Sequence, residues 1–419
     1  MELHSNNGAH FTRWVVRQGL LEKPFVLIDV GVQGGEASRW QALGDHLVLH
    51  GFDAIEEVIE GLKSQNLSHP RRHYHWIAAG KFDGEQTLYF DIENPYSSSF
   101  YQQGETRFFA AKPVAQPRQV RVRRLDTLLA EGVIPRADFL KVDVEGYEKD
   151  VLLGAPELLT GILGLEAETA FTVSSEYPNT HFGTLQDIAL ANHQRTFDIE
   201  FNRVPRASFQ RALVRDNRAP IADHVSVGRP ATLNVLFSRD LIEEAESPEH
   251  YASPPPPLDI DGIVKQIIVY ELYGLNDVAV DTAERLADRI GARIDVDQAI
   301  RLLADPACRR NAAVERIRDL EAYYEAYQQA AVARIRELEG QFETHRQAHA
   351  ESMAGANRLL VAERDAFVAR IMEQGREIER LERSIDLLRA MIPRPVKHLL
   401  LAMIPRPVKN LLRAMIPRR

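Results

Sequence analysis

DFLKVDVEGYEKDVLLGA, residues 138–155, is the stretch whose reading decides the fold. Phe139, Leu140, Val142 and Val144 form the apolar, β-branched body of a strand, and Asp143, Glu145 and Glu148 crowd its exit, where Gly146 frees the backbone. Acid gathered at the carboxyl end of a parallel strand is where an open α/β sheet meets its ligand. The plainer alternative is a strand running into a capped helix whose acids are merely solvated.

Similar strand bodies recur on both sides, with helix-like segments between them. They are FVLIDV (25–30), LVLHGF (47–52), HYHWIAA (73–79), DFLKVDV (138–144), ILGLEAE (162–168), TFDIEF (196–201) and ATLNVLFS (231–238). Alternating β and α units predict a Rossmann-like, doubly wound, mostly parallel seven-stranded sheet within residues 1–250. The last two strands, joined by a polar loop, read as an antiparallel addition. SPPPPLD (253–259) can continue neither helix nor sheet, so 251–259 reads as a proline-rich linker. Beyond it, Ile263, Ile267, Tyr270, Leu286, Ile290, Ile300 and Leu303 fall at helical spacing and predict a small helical domain over 260–308.

Composition bounds the rest. A chain of 419 residues with 45% hydrophobic content exceeds a single core. One cysteine, Cys308, excludes a disulfide framework and offers no thiolate metal site, which suits a reducing compartment. The first twenty residues lack the pattern of a signal peptide, and no apolar run of about 18 residues occurs, so a soluble, cytoplasmic protein is expected. A net charge of −9 argues against nucleic acid as partner.

From 311 to 390, Ile317, Leu320, Tyr324 and Tyr327, then Ile335, Leu338 and Phe342, then Ile378, Leu381, Ile385 and Leu388 repeat at spacings of three and four with shifts of phase. This predicts a coiled coil with stutters and hence a homo-oligomer; a single solvated helix is the alternative. The tail, 391–419, lies within an internal repeat (AMIPRPVKHLLL, AMIPRPVKNLLR, AMIPRR) and carries only basic charges, among them Arg394, Lys397, Arg406 and Lys409. Short basic amphipathic helices of this kind suit an anionic membrane surface or a partner protein's groove, reached through residues 389–419.

Three strand ends carry chemistry. FVLIDVGVQGGEASRW (25–40) reads as a strand, a glycine turn and a helix start, with Glu36 in the first helical turn. Gly31 and Gly35 permit close backbone approach, and Asp29 is an acceptor for a cationic group. The spacing is not GxGxxG and Glu36 would repel a pyrophosphate, so a dinucleotide is disfavoured. About twenty residues on, Asp53 stands where a ribose-binding acid is expected. Asp29 with Gly31, then Asp53, then Asp143 with Glu145, together describe an S-adenosylmethionine site. His73, His75 and His181 are alternative bases, although histidines near strands are more often structural. Their spacing suits no metal, and no metal is expected.

At RVRRLDTLLAEGVIPRADFLKVDVEGYEKDVLLGA (121–155) the chain resembles the FkbM family of S-adenosylmethionine-dependent methyltransferases. Leu125, Asp126, Asp138, Lys141, Asp143, Glu145, Gly146 and Glu148 stand at that family's positions, SSSF (97–100) matches its serine pair, and GLEAE (164–168) its next strand. Two departures occur: Val32 and Gln33 replace Ala and Asn in the first motif, and Asp53-Ala54 replaces Glu-Pro. The resemblance implies O-methylation of a sugar hydroxyl, and the basic tail suggests an acceptor in a surface polysaccharide or glycolipid made at the inner face of a membrane. It implies cofactor contacts from Asp29, Gly31, Gln33, Gly35 and Asp53, with Asp143 as the leading candidate for the substrate-side base or orienter and Glu145 as the second. A scaffold that spaces or recruits partners through its coiled coil and tail is the alternative function, against which the intact acids and glycines speak.

Overall fold

The computed structural model describes residues 8–65, 69–92, 95, 98–101, 115–171, 180–204, 229–251, 253–305 and isolated helical positions between 340 and 383. Apart from those positions, the expected coiled coil lies outside the described residues, as does the whole of the basic tail. Residues 1–309 form one compact unit and 310–419 another.

The main sheet has seven strands: β1 (Phe25–Val30), β2 (Leu47–Asp53), β3 (Arg72–Trp76), β7 (Phe139–Val142), β8 (Gly164–Ala170), β9 (Arg195–Val204) and β10 (Arg229–Ser238). They lie in the order β3-β2-β1-β7-β8-β10-β9. β1, β2, β3, β7 and β8 pair in parallel, and β10 is antiparallel to both β8 and β9. The sheet is therefore mixed and mostly parallel, with the antiparallel pair at the end of the chain order that the polar loop suggested. The chain winds outward from β1 to β3 and then returns to place β7 on the other side of β1. That reversal leaves a crevice at the carboxyl ends of β1 and β7, where open α/β sheets bind ligands.

Alternation of side chains sends apolar residues to both faces. Phe25, Leu27 and Phe139 belong to one core with helix α1 (His10–Arg17) and the helices after residue 259, while Ile28, Val30, Leu140 and Val142 belong to a second core beneath helices α3 (Leu125–Ala130), α4 (Glu148–Leu153), α5 (Pro156–Leu159) and α6 (Phe182–Ala191). The run HYHWIAA divides at Ile77. Its first half is β3, and Ala78–Ala79 forms β4 of a separate three-stranded sheet with β5 (Gly84–Asp91) and β6 (Ala115–Arg123), in the order β4-β6-β5. This second sheet walls one side of the crevice.

Two local expectations differ from the structure. After β1 the chain makes a glycine loop with positive φ at Gly31, Gly34 and Gly35, followed by a 3-10 helix (Ser38–His46), so Glu36 opens no α-helix. Its carboxylate pairs with Arg72 at 2.5 Å, which neutralises the charge expected to repel a pyrophosphate. The stretch 260–308, read as a domain of its own, packs on the sheet through its described residues and shares a core with it. Its first helix (Ile260–Leu272) buries Ile263, Val264, Ile267, Ile268 and Tyr270 completely. Removing each such side chain from water contributes about 2 kcal/mol. A helix apolar on nearly every side requires cover all round, and the sheet supplies it.

Charged groups fix this layer. Lys265 donates to Asp138 Oδ2 at 2.9 Å and to the Pro24 carbonyl at 2.8 Å, and Asp138 also accepts from Val26 N at 2.7 Å. Asp138, which opens the DFLK motif, thus joins β1, β7 and the covering helix. Ala9 at the start of α1 offers no side-chain cap. Glu271 replaces it from far along the chain, accepting from Phe11 N at 2.8 Å, Thr12 N at 2.7 Å and Thr12 Oγ1 at 2.6 Å. Glu271→Ala leaves those donors buried without a partner and is expected to lower the stability of the first unit by about 3 kcal/mol. Urea unfolding followed by tryptophan fluorescence measures this.

Candidate active site

A cleft of about 280 Å³ opens at the carboxyl ends of β1, β2 and β7 and extends over β8, β9 and β10. Of the residues expected at the site, Gly31, Gln33, Asp53, Asp143 and Glu145 line it. Asp29 is buried beneath it, and Gly35 stands behind it in the glycine loop, with its N–H donated to the Val32 carbonyl at 2.9 Å. The sequence reading missed Glu168, Asn202 and Asn234, which line the far end, and Ile55, Ala78 and Leu88 on the apolar wall.

Gly31 is required by its neighbours. Its φ is +84°, and a Cβ there would stand 1.8 Å from the Asp143 carbonyl oxygen. Any side chain would push β1 away from β7 and open the floor of the cleft. The Val32 departure from the family motif is accommodated by Gly51: Val32 is buried with Ile59 and Leu62, and a Cβ on residue 51 would meet Val32 Cγ2 at 2.8 Å. The larger side chain therefore takes no room from the cleft.

Below the floor, Lys141 and Asp29 face each other in register across β1 and β7, and Glu166 faces Lys141 across β8. Lys141 Nζ lies 3.5 Å from Asp29 Oδ1 and 3.3 Å from Asp143 Oδ2. Burial alone would lower the Lys141 ammonium, but the carboxylates of Asp29, Asp143 and Glu166 outweigh it and hold it above the ordinary lysine range. Burial raises Asp29 to about 7 despite Lys141. At Asp143 burial acts upward, but Lys141 and a hydrogen bond from Glu168 prevail and keep its carboxylate below the usual range.

The turn after β7 is held from several sides. Glu145 has a left-handed φ of 53°, an arrangement that costs a non-glycine residue energy and persists only under external restraint. Ser99 Oγ, from the family's serine pair, donates to the Glu145 carbonyl at 2.7 Å, and Thr180 Oγ1 donates to the Gly146 carbonyl at 2.9 Å. Glu148 accepts from Val144 N at 3.1 Å and Gly146 N at 3.0 Å, while burial raises it to about 7. Capping of the turn thus falls to Glu148, and Glu145 is left on the cleft wall.

Asp53 Oδ1 accepts from Ile55 N at 2.8 Å, and burial pushes its carboxyl up to about 6. The histidines have structural surroundings. His73 and His75 stack on His50, with His50 Nδ1 3.1 Å from His75 Nε2, and burial lowers His50 to about 3 and His75 to about 4. His181 Nε2 meets Thr184 Oγ1 at 2.8 Å at the start of α6. Among the described residues, no group of three or more His, Cys, Asp or Glu is placed to hold a metal ion.

The described lining thus contains four carboxyl groups, from Asp53, Asp143, Glu145 and Glu168, and no lysine, arginine or histidine. Such a cleft favours a cationic ligand.

Residues 29–171 match the methyltransferase FkbM domain family. Residues 29–171 thus form a methyltransferase FkbM domain; β9, β10 and the helices after residue 259 lie beyond the matched residues. No curated protein matches significantly. Solved structures with some likeness include a precorrin-6y C5,15-methyltransferase from Geobacter metallireducens GS-15 (6% identity, 55% of this chain and 87% of that one, TM-score 0.28). Others are a 1,6-didemethyltoxoflavin-N1-methyltransferase from Burkholderia thailandensis (11%, 56% and 79%, TM-score 0.23) and the 23S rRNA methyltransferase ErmE (12%, 73% and 98%, TM-score 0.24). At these scores the likeness says nothing about function.

Asp29 makes the site's stability depend on pH. Its folded value near 7 exceeds the 3.8 of an unperturbed aspartate, so its contribution is complete below about 3.8 and is lost as pH rises towards 7. Asp29→Asn is expected to flatten the fall in stability across that interval, as measured by urea midpoints at successive pH values; Glu148 retains its own part of the slope.

Proposed function

We propose that this protein transfers the methyl group of S-adenosylmethionine to a hydroxyl of a sugar, in a surface polysaccharide or glycolipid assembled at the inner face of a membrane. The observation that carries this reading is the acid-lined cleft at the junction of β1 and β7, within the part of the chain that matches the methyltransferase domain. When bound, S-adenosylmethionine supplies an electrophilic methyl on a sulfonium.

Asp53 accepts from the ribose hydroxyls, and Gln33 and the Gly31 backbone lie against the remainder of the cofactor. Asp29 acts from below, through Lys141. Asp143, charged and beside the acceptor end, orients the incoming hydroxyl and receives its proton. The amides of Asn202 and Asn234 and the hydroxyls of Ser98 and Ser99 on the same lining suit an acceptor rich in hydroxyl groups. Alignment of the acceptor oxygen behind the methyl accounts for much of the rate, since holding two reactants in line replaces an encounter from solution. In this reading the basic tail brings the enzyme to an anionic membrane surface, and the coiled coil makes it a homo-oligomer. Among the described residues no helix is long and apolar enough to cross a membrane, so surface attachment would rest on the tail.

Calorimetry with S-adenosylmethionine tests the cofactor site. Asp53→Ala is expected to weaken binding at least tenfold, and binding to the parent is expected to weaken as pH falls below about 6, where Asp53 takes up a proton. Labelled S-adenosylmethionine incubated with cell-envelope extract tests the acceptor: label is expected in the carbohydrate fraction. Label confined to protein or nucleic acid refutes the sugar reading. Deleting 391–419 is expected to abolish co-sedimentation with vesicles of anionic phospholipid, and unchanged binding would rule out the tail as the attachment.

A further inference from the structure

Glu168 closes the GLEAE strand, and the mechanism above gives it no role. It lies on β8, directly opposite Asn234 of β10, and lines the cleft beyond Asp143. Three carboxyl groups, Asp143, Glu145 and Glu168, therefore share the acceptor end, where like charges at short range cannot all be ionised. Lys141 decides which one carries charge. Its ammonium stands 3.3 Å from Asp143, on the strand that leads to it, and stabilises charge there. Glu168 stands one residue past the Val142–Ala167 pair, as Asp143 does on the neighbouring strand, so both carboxyl groups line the cleft side by side and each acts on the other.

We propose that Glu168 is a positioning residue for methyl transfer: it keeps its proton, donates it to Asp143, and so holds the Asp143 carboxylate charged and aimed at the acceptor hydroxyl. This assignment rests on the hydroxyl-acceptor reading given above. In the step itself, the acceptor oxygen forms a bond to the methyl carbon, and the carbon–sulfur bond breaks with its electron pair passing to sulfur. The hydroxyl proton passes to Asp143 and thence to solvent, while the Glu168 proton stays in place. A single carboxylate free to rotate would present its oxygens in many directions. One fixed by Lys141 on Oδ2 and by a carboxylic acid beside it keeps a lone pair aimed in a set direction for the substrate.

The balance of charges supports the pairing. Burial, together with the nearby charges of Asp143, Glu145 and Glu148, raises Glu168 well above the ordinary carboxylate range, whereas Asp143 lies below it. The activity should accordingly fall in alkali as Glu168 loses its proton and the pair acquires a second negative charge. The other ionisable groups packed around the pair are Asp29 and Lys141 beneath it and Glu148 behind the turn. Asp29 and Glu148 titrate near 7, so their inflections are expected in parent and variant alike.

The test uses the full chain and two readouts. Infrared difference titration of the parent is expected to show a protonated carboxyl band that persists above neutral pH, is lost in Glu168→Gln, shifts in Asp143→Asn, and remains in Glu145→Gln. Transfer of labelled methyl to the carbohydrate fraction of envelope extract supplies the second. Glu168→Gln, which keeps a donor at every pH, is expected to retain activity within about threefold at neutral pH and to lose the alkaline fall, whereas Glu168→Ala is expected to lose more than tenfold in kcat. A band unchanged in Glu168→Gln, or an alkaline fall that survives in it, would overturn the proposal. Loss of the band in Glu145→Gln instead would assign the proton to Glu145 and likewise refute it. If the parent labels no carbohydrate, the acceptor reading fails and the catalytic role fails with it, while the infrared band still decides whether the pair exists.

Discussion

The site depends on one buried ammonium. Lys141 lies between Asp29 and Asp143 and opposite Glu166, so three neighbouring strands bring acid to the same few ångströms at the point where the sheet reverses its winding. Carboxylates cannot be buried together uncompensated. The lysine allows β1 and β7 to close up, and the absence of a side chain at Gly31 allows their backbones to meet. Charge compensation and steric clearance thus act on the same junction, and the cleft is its upper surface.

The junction is also tied to parts of the chain far from the motif. Tyr273, just past the helix that covers the sheet, donates to Glu166 Oε2 at 2.5 Å, and Lys265 of that helix holds Asp138 at the start of β7. On the opposite side, Ser99 reaches from beside the small sheet to the Glu145 carbonyl, and Tyr147 donates to Gln86 of β5 at 2.9 Å. The left-handed turn at Glu145 is therefore held from the side of the small sheet. The chain beyond the matched domain thus fixes strands β7 and β8 through one tyrosine and one lysine, besides covering the sheet.

Much of this was legible in the residues. The seven strands of the main sheet were readable because each pairs an apolar body with a polar exit, and the loop glycines and strand-end acids follow from the same pattern. The second sheet was missed because its strands carry few apolar residues: β5, GEQTLYFD, opens on four glycine or polar residues, and β6, AQPRQVRVR, is mostly polar and contains a proline, so both read as loop. Proline again misled at 253–259: the run turns the chain back over the sheet, its Pro256 carbonyl accepting from Arg239 at 2.8 Å, and the helix after it enters the core. Lys141 was visible as a lysine in a strand. Apart from Asp143, two residues on, its carboxylate neighbours were not, since Asp29 comes from 112 residues before it and Glu166 from a strand some twenty-five residues after it.

Local pattern alone determined which segments become strands, where their acidic ends fall and which family motif they carry, because side-chain alternation and turn chemistry are properties of neighbours in the chain. Tertiary structure decided which acids share a space. Asp143 and Glu168 meet because β7 and β8 are parallel neighbours, Asn234 joins them because β10 runs antiparallel beside β8, and Asp29 remains below because Lys141 holds it there. The protonation of each follows from burial and from the charges around it, quantities that exist only once the strands are paired. The acid-rich exit at 138–155 was evident from its residues. That burial lifts Asp29 and Glu168 above the ordinary carboxylate range while Lys141 helps hold Asp143 below it arises only in the folded sheet.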